Sequence, residues 1–308
     1  MLNKIRSFSF CRNFKFTAII AAIFVCVGLI GLILLPFGVQ LFNFDIDFVG
    51  GTTMQFDLHT PVNASVTSDV AAIVQEVSGK AASSVTKAGD SGSQVVIKTL
   101  ELDSETRDAI FQAISEKYGL QDTDNLKSDY VSASVGSDLR DKAIKASLIA
   151  VALILLYITI RFEFRSGIAA IICLVHDLLV MLSMYIIFRI PFNMNFIAAA
   201  LTIFGYSINA TIVVFDRIRE NRKKEMGKRG VSFADIVDKS IHQTMTRSLN
   251  TTITTLVVMV MLLILGVSSI RNFAAPICFG VIAGCFSSVC LSGPLWNLMT
   301  PKGEVKTK

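Results

Sequence analysis

Charged residues are scarce in this chain: 17% of its 308 residues are Asp, Glu, Lys or Arg, against 52% apolar residues and a mean hydropathy of +0.59. That balance excludes an ordinary soluble domain and points to a polytopic α-helical membrane protein. Histidine is also sparse, with residues only at 59, 176 and 242, and the six cysteines at 11, 26, 173, 278, 285 and 290 show no metal-ligand spacing with them. No cysteine falls between 40 and 140. The polar segment there has no disulfide framework, and the thiols elsewhere read as small apolar core residues. A phosphate-binding loop and a nucleophile–base pair are missing as well. The chain is therefore not expected to be an enzyme, and no metal or cofactor is implied.

What is present is a set of long apolar runs. Stretches of about 20 residues, the length that spans about 30 Å of hydrocarbon, occur at 17–39, 143–160, 167–188, 193–215, 248–269 and 272–299. The first run is longer than a signal-peptide core and no A-x-A site follows it, so it reads as an uncleaved anchor. Lys4, Arg6, Arg12 and Lys15, then Arg161 and Arg165, then the block Arg217 to Arg229, then Lys302, Lys306 and Lys308 all fall on one side of a six-span layout. The opposite short loops hold only Arg189 and Arg271. By the positive-inside rule both termini are cytoplasmic. The net charge of +5 is then topological. No nucleic-acid partner is expected, and anionic membrane lipid or an acidic cytoplasmic partner suits the basic loop at 217–246 better.

Residues 40–140 supply one small domain on the far side of the membrane. Phe44 to Leu58 reads as a strand, Ser65 to Ser78 as a helix, and Ala82 to Ala88 with Gln94 to Leu100 as two strands around the turn Gly89-Asp90-Ser91-Gly92. A second helix runs from Asp103, its N-cap, to Tyr118, with Gly119 as C-cap, and Lys127 to Val135 closes as a strand. The order βαββαβ predicts a ferredoxin-like α+β domain. Within FDIDFVGGTTMQF, the glycines Gly50 and Gly51 permit a bulge or a close backbone approach. Asp45 and Asp47 sit two apart on the expected strand and read as a solvated face or a local cap, not an acid–base pair.

The candidate functional residues lie in the spans, where hydrocarbon offers no water and a polar side chain is a functional candidate. His176 and Asp177 fall near the middle of the third span. An aspartate there costs about 2.5–3.5 kcal/mol on insertion scales, so it needs a partner, a water path or a proton. An internal hydrogen bond and a proton relay both remain open for it. In the fourth, Thr202, Asn209 and Asp216 are seven apart on one stripe, and Ala210 shares a face with Tyr206 and Ser207. Asp216 is expected to pair with Arg219 at i+3. A short helix is expected from Phe233 to Gln243 ahead of the fifth span, which opens with Arg247 and continues through Asn250, Thr251, Thr252, Thr254 and Thr255. Gly280, Gly284 and Ser288 make a small-residue stripe in the sixth span that permits close helix contact.

Several of these stretches together resemble the SecF family of protein-export subunits. The resemblance rests on the segment after the first span with Asp45, Asp47, Gly50 and Gly51, and on the His176-Asp177 pair. It rests further on GYSINATIVVFDRIREN, with Gly205, Tyr206, Ser207, Asn209, Thr211, Asp216 and Arg217, and on SIHQTMTRSLNTTITTL with Arg247. One position departs, since Ala210 stands where SecF proteins usually carry an aspartate associated with proton movement. The resemblance implies pairing with SecD into a twelve-span assembly related to the resistance-nodulation-division transporters. It also implies association with the SecYEG channel and YajC, and work on unfolded preprotein in the bacterial cytoplasmic membrane, driven by ion flow. His176, Asp177, Asn209, Ala210, Asp216 and Arg247 are the implied ion-path positions, with Asn209 or Asp177 the expected acceptor for Arg247. Two readings stay open: half of an ion-driven export motor, or a non-conducting assembly subunit because Ala210 carries no proton. A third, half of a small-molecule or lipid exporter, predicts a second large exported domain where only the Arg189 to Asn195 loop exists.

Overall fold

A computed structural model describes residues 8–37, 39, 41–82, 84–89, 91–161, 163–225 and 231–301. Lys4, Arg6, Asp90, Arg229, Lys302, Lys306 and Lys308 lie outside the described residues. In chain order the elements are α1 (Phe14–Leu34), β1 (Gly51–Asp57), α2 (Ala64–Ser78), β2 (Ser84–Ala88), β3 (Gln94–Thr99), α3 (Ser104–Tyr118) and β4 (Asn125–Val131). There follow α4 (Ala133–Arg161), α5 (Phe164–Ile187), α6 (Met194–Glu225), α7 (Phe233–Leu265), α8 (Ser268–Phe286), a π-helical run Ser287–Ser292, and α9 (Gly293–Met299). The chain divides into two compact units, Phe44–Lys145 and the remainder. Among the described residues, six helical stretches are long and apolar enough to cross a membrane, which makes the chain a multi-pass membrane protein.

In the Phe44–Lys145 unit the four strands form one antiparallel sheet ordered β2-β3-β1-β4, with Met54 opposite Ile97 and Thr52 opposite Tyr130. Alternation drives its core, since Met54, Phe56, Val95 and Ile97 point to one face and are covered by Val70 and Val74 of α2 and Ile110 and Ile114 of α3. Both helices start and stop on local chemistry. Asn63 accepts from Val66 N at 3.0 Å, Asp103 accepts from Thr106 N at 2.8 Å, and Gly79 and Gly119 close the helices in the left-handed region.

Two expected strands differ from the observed ones. Residues 44–58 are not continuous, because Asp45 caps a one-turn helix, Ile46–Val49, and Gly50 (φ 76°) and Gly51 (φ 132°) reset the direction before β1 begins. Asp45 and Asp47 therefore do not share a strand face. Residues 127–135 split as well, because Ser132 Oγ accepts from Val135 N at 3.3 Å and starts α4 at Ala133, ten residues before the apolar run. Similarly, the expected short helix at 233–243 and the fifth span are one helix, α7, begun by a Ser232–Asp235 capping box. The sixth span is the composite of α8, the π run and α9.

In the membrane unit α1 packs on α5 through Gly28 and Gly31. The Ser183 hydroxyl of α5 accepts from Gly28 N at 2.7 Å and donates to Phe24 O at 2.7 Å, which wedges it into the hydrogen-bond ladder of α1. A Cβ on Gly28 would lie 2.4 Å from Leu179 O, a backbone atom that has no rotamer to escape into. Gly28→Ala is accordingly expected to cost about 1–3 kcal/mol by overpacking. Thermal unfolding of the full chain in detergent reads this out, and an unchanged midpoint would mean α1 and α5 are not held together at Gly28.

Candidate functional site within the spans

The site begins with the apolar surroundings of α5, which bury His176 (8% exposed) and Asp177 (0%). Three side chains converge on the Asp177 carboxylate. His176 Nδ1 lies 2.9 Å from Oδ1, Ser287 Oγ donates to Oδ2 at 2.9 Å, and Ser207 Oγ of α6 donates to Oδ2 as well. Against a carboxylate acceptor the proton sits on Nδ1, and the other ring nitrogen is Nε2. That Nε2 is buried without a protein hydrogen bond, and the ring lies against Phe286 with centroids 6.0 Å apart. Among the described residues, no Lys or Arg bonds Asp177.

Ser287 opens the π-helical run, and the sequence explains why the helix loosens there. Pro294 has no N–H to give to Cys290 O, so the α-helical ladder cannot continue through it. Thr17 Oγ1 of α1 approaches that carbonyl at 3.4 Å, and Ser292 Oγ donates to Ser288 O at 2.6 Å. Within hydrocarbon such freed carbonyls have only neighbouring side chains to satisfy them. Cys173 Sγ similarly lies 3.8 Å from Ser287 O.

The other expected site residues separate into two groups. Gly280 packs against Ile203 of α6, Gly284 against Ser207, and Ser288 is buried with its hydroxyl on Cys285 O at 3.0 Å, so all three lie inside the helix bundle. Thr211 is buried, and Tyr206 joins α6 to α7 through a 2.6 Å bond to Thr252. Asn209 faces outward, as do Thr202, Gly205, Asp216, Arg247, Asn250, Thr251 and Thr254, while Ala210 is half-buried. Asp216 has its expected partner in Arg219, 4.0 Å away, and a second, closer one in Arg161 at the end of α4, which bonds it at 3.2 Å. Arg217 bonds Gln243 and Glu220. Arg247 reaches neither Asn209 nor Asp177 and makes no side-chain bond among the described residues, since it projects from the outer face of α7. Asp45 caps Ile46 N at 3.0 Å and pairs with Lys98 at 2.8 Å, Asp47 lies in the first turn of that helix, and a Cβ on Gly51 would meet Thr99 O at 2.5 Å.

Sequence reasoning overlooked Ser287 and Ser183. The doublet Ser287-Ser288 in an apolar run ahead of Gly293-Pro294 was the available signal for the first.

These features define a multi-pass membrane protein whose polar chemistry is gathered on one buried, hydrogen-bonded carboxylate. The family model for the protein export membrane protein SecD/SecF, C-terminal, matches residues 110–302. The protein translocase subunit SecF of Sebaldella termitidis is 37% identical over 260 residues, covering 84% of this chain and 82% of its own. SecDF of Bacillus subtilis is 41% identical over 194 residues, covering 63% of this chain and 26% of its own. The crystal structure of SecDF from Thermus thermophilus, described as a translocon-associated membrane protein, superposes with a TM-score of 0.81 at 31% identity. It covers 94% of this chain, which spans only 38% of the Thermus chain. The chain belongs to the SecF family of protein translocase subunits.

Proposed function

We propose that this chain works in protein export beside a SecD-type subunit, and that its buried carboxylate takes part in coupling export to an ion gradient. The observation that carries the reading is Asp177, fully buried in a membrane span and, among the described residues, bonded by no Lys or Arg. A carboxylate so placed is expensive to keep charged and is retained where its charge is used. Position 210, where the family's aspartate is replaced by Ala210, lies one helical turn from Ser207, the residue that bonds Asp177. Asp177 is therefore within reach of the same region of the spans.

The SecD-type partner is supported by the outer polar stripe of α6 and α7. Asn209, Arg247 and Asn250 face outward where lipid would leave their side chains without partners, and a neighbouring helix bundle supplies them, while the outward Thr202 and Thr251 hydroxyls bond carbonyls of their own helices. The Bacillus and Thermus relatives carry SecD and SecF in one chain. The strand order β2-β3-β1-β4 with two helices supports reading the Phe44–Lys145 unit as a ferredoxin-like domain, placed outside the bacterial cytoplasmic membrane by the positive-inside rule. SecYEG, YajC, lipid and unfolded preprotein follow as the partners of such a subunit. A second reading, an assembly subunit that conducts nothing, is favoured by Ala210 alone.

The test is preprotein release from membrane vesicles holding this chain and its SecD-type partner, with and without an imposed proton or sodium gradient. Gradient-dependent release that Asp177→Asn abolishes is the expected result. Release that ignores the gradient until Ala210→Asp restores a carboxylate would overturn coupling through Asp177 and leave the assembly reading.

A further inference from the structure

The end of α5 goes against local chemistry at one residue. Ile190 N donates to Tyr185 O at 3.1 Å and Arg189 N donates to Ile186 O at 3.3 Å, and Tyr185 and Ile190 belong to the same buried cluster. These two crossed bonds make a Schellman cap, whose pivot is left-handed and is usually glycine, because a Cβ there crowds the following carbonyl oxygen. Here the pivot is Arg189, at φ 52°, one of two non-glycine residues with positive φ among the described residues. Position disfavours it a second time. In the layout proposed for the spans the α5–α6 turn faces away from the cytoplasm, where short loops are poor in Lys and Arg. A residue held against both preferences marks a task for its side chain.

That side chain grips the segment leading out of α1. Arg189 Nη1 donates to Leu41 O at 3.2 Å, and Asn43 Nδ2 donates to Arg189 O at 3.1 Å. One residue thereby holds residues 41–43 at two points, through its guanidinium and through its own carbonyl. Asn43 also begins a short strand that pairs with Pro191–Phe192. Between the two grips Phe42 is 5% exposed, edge-on to Phe192 at 5.4 Å, and Phe192 in turn meets Tyr185 at 5.4 Å and Phe196 at 4.1 Å. A Cβ on Gly31 would lie 2.3 Å from Ile186 Cδ1 and 3.4 Å from the Phe42 ring, so the same ring closes on the α1–α5 contact. Residues 41–43 are thus a strap, with a buried aromatic peg between exposed polar bonds.

We propose that Arg189 is a positioning residue that clasps residues 41–43 to the α5–α6 turn, so that a displacement of α5 is passed directly to the chain entering the Phe44–Lys145 unit. The strap leads into that unit at Phe44, and α5 carries Asp177. The clasp exists or fails on its own bonds. Its use, carrying movement from the helix of the buried carboxylate towards the exported domain, rests on the export reading above.

The experiment compares the full chain with Arg189→Gly and Arg189→Ala in lipid nanodiscs, reading hydrogen–deuterium exchange of the 41–44 amides by mass spectrometry and thermal unfolding alongside. Arg189→Gly supplies the residue the turn prefers while removing the guanidinium. It is expected to melt at or above the wild-type temperature, yet to exchange over 41–44 about tenfold faster, the effect of losing one hydrogen bond from a charged donor at an exposed site. Arg189→Ala keeps the strain and lacks the donor, so it is expected to melt lower and exchange as fast. A role confined to ending α5 predicts another pattern, with Arg189→Gly as protected as wild type and only Arg189→Ala loosened. That pattern overturns the clasp. Preprotein release from vesicles reads the transmission: Arg189→Gly is expected to lower gradient-driven release and to leave release without a gradient unchanged. Full gradient dependence in a variant whose 41–44 amides exchange faster would overturn the transmission. Wild-type release that ignores the gradient, with 41–44 still loosened by Arg189→Gly, would sink the coupling reading and leave the clasp standing.

Discussion

Trp296→Ala is expected to lower the stability of the membrane unit by about 3–5 kcal/mol, the cost of emptying a fully packed aromatic position. Trp296 is the chain's single tryptophan and is 1% exposed in α9. It meets Phe215 of α6 edge-on at 5.1 Å and Phe233 of α7 edge-on at 5.6 Å. Ile218, Val237, Ile241 and Phe10 belong to the same cluster, so one indole joins the last helix to three other parts of the chain. Gly293 lets it approach, because a Cβ there would lie 2.8 Å from Val237 Cγ1. Circular-dichroism melting of the full chain in detergent measures the loss. Trp296→Phe keeps an aromatic ring in the site and is expected to lose less than half as much. The wild-type indole should also fluoresce at the blue end of its range and shift to the red on unfolding. A red-shifted native emission, or a loss under about 1 kcal/mol in the alanine variant, would mean that α9 does not dock as described.

The same region shows where sequence reasoning succeeds and where it stops. Apolar length alone locates all six membrane helices, because the bilayer imposes a minimum run that no soluble element needs. It misplaces their ends, since α4 and α7 each begin with polar helical turns before their apolar runs, and hydropathy is blind to a helix that leaves the membrane. In the Phe44–Lys145 unit the alternating residues and the caps at Asp103 and Gly119 are legible, being local. The break at Asp45 to Gly51 is not, because strand-like composition there is overruled by one capping carboxylate and two glycines at positive φ. His176 and Asp177 stand out as polar residues in a span, but what they touch is set by packing. Ser207 and Ser287 are 30 and 110 residues away from Asp177, and no spacing rule links them. Arg161, 55 residues from Asp216, joins the i+3 partner Arg219 there, and no spacing rule announces it.

Asp177→Ala is expected to damage the fold more than any other single change at the polar site. It strands two buried donors, His176 Nδ1–H and Ser207 Oγ–H, and leaves Ser287 Oγ–H with only Gly284 O at 3.2 Å. Each buried donor left unpaired costs about 1–3 kcal/mol, and the three bonds are lost together because they share a single carboxylate. The consequence should appear at the π run first, since Ser287 is held to α5 by this bond and by the weak approach of Cys173 to its carbonyl. Asp177→Asn separates fold from charge. Its amide oxygen still accepts from the two serines, and its amide nitrogen can donate to His176 Nδ1 once the imidazole carries its proton on Nε2. That variant is expected to unfold at a temperature closer to wild type than to Asp177→Ala, while losing whatever depends on the negative charge. Detergent melting of the three proteins side by side decides the matter: equal losses in the two variants would show that charge, not hydrogen bonding, holds α5, α6 and the π run together.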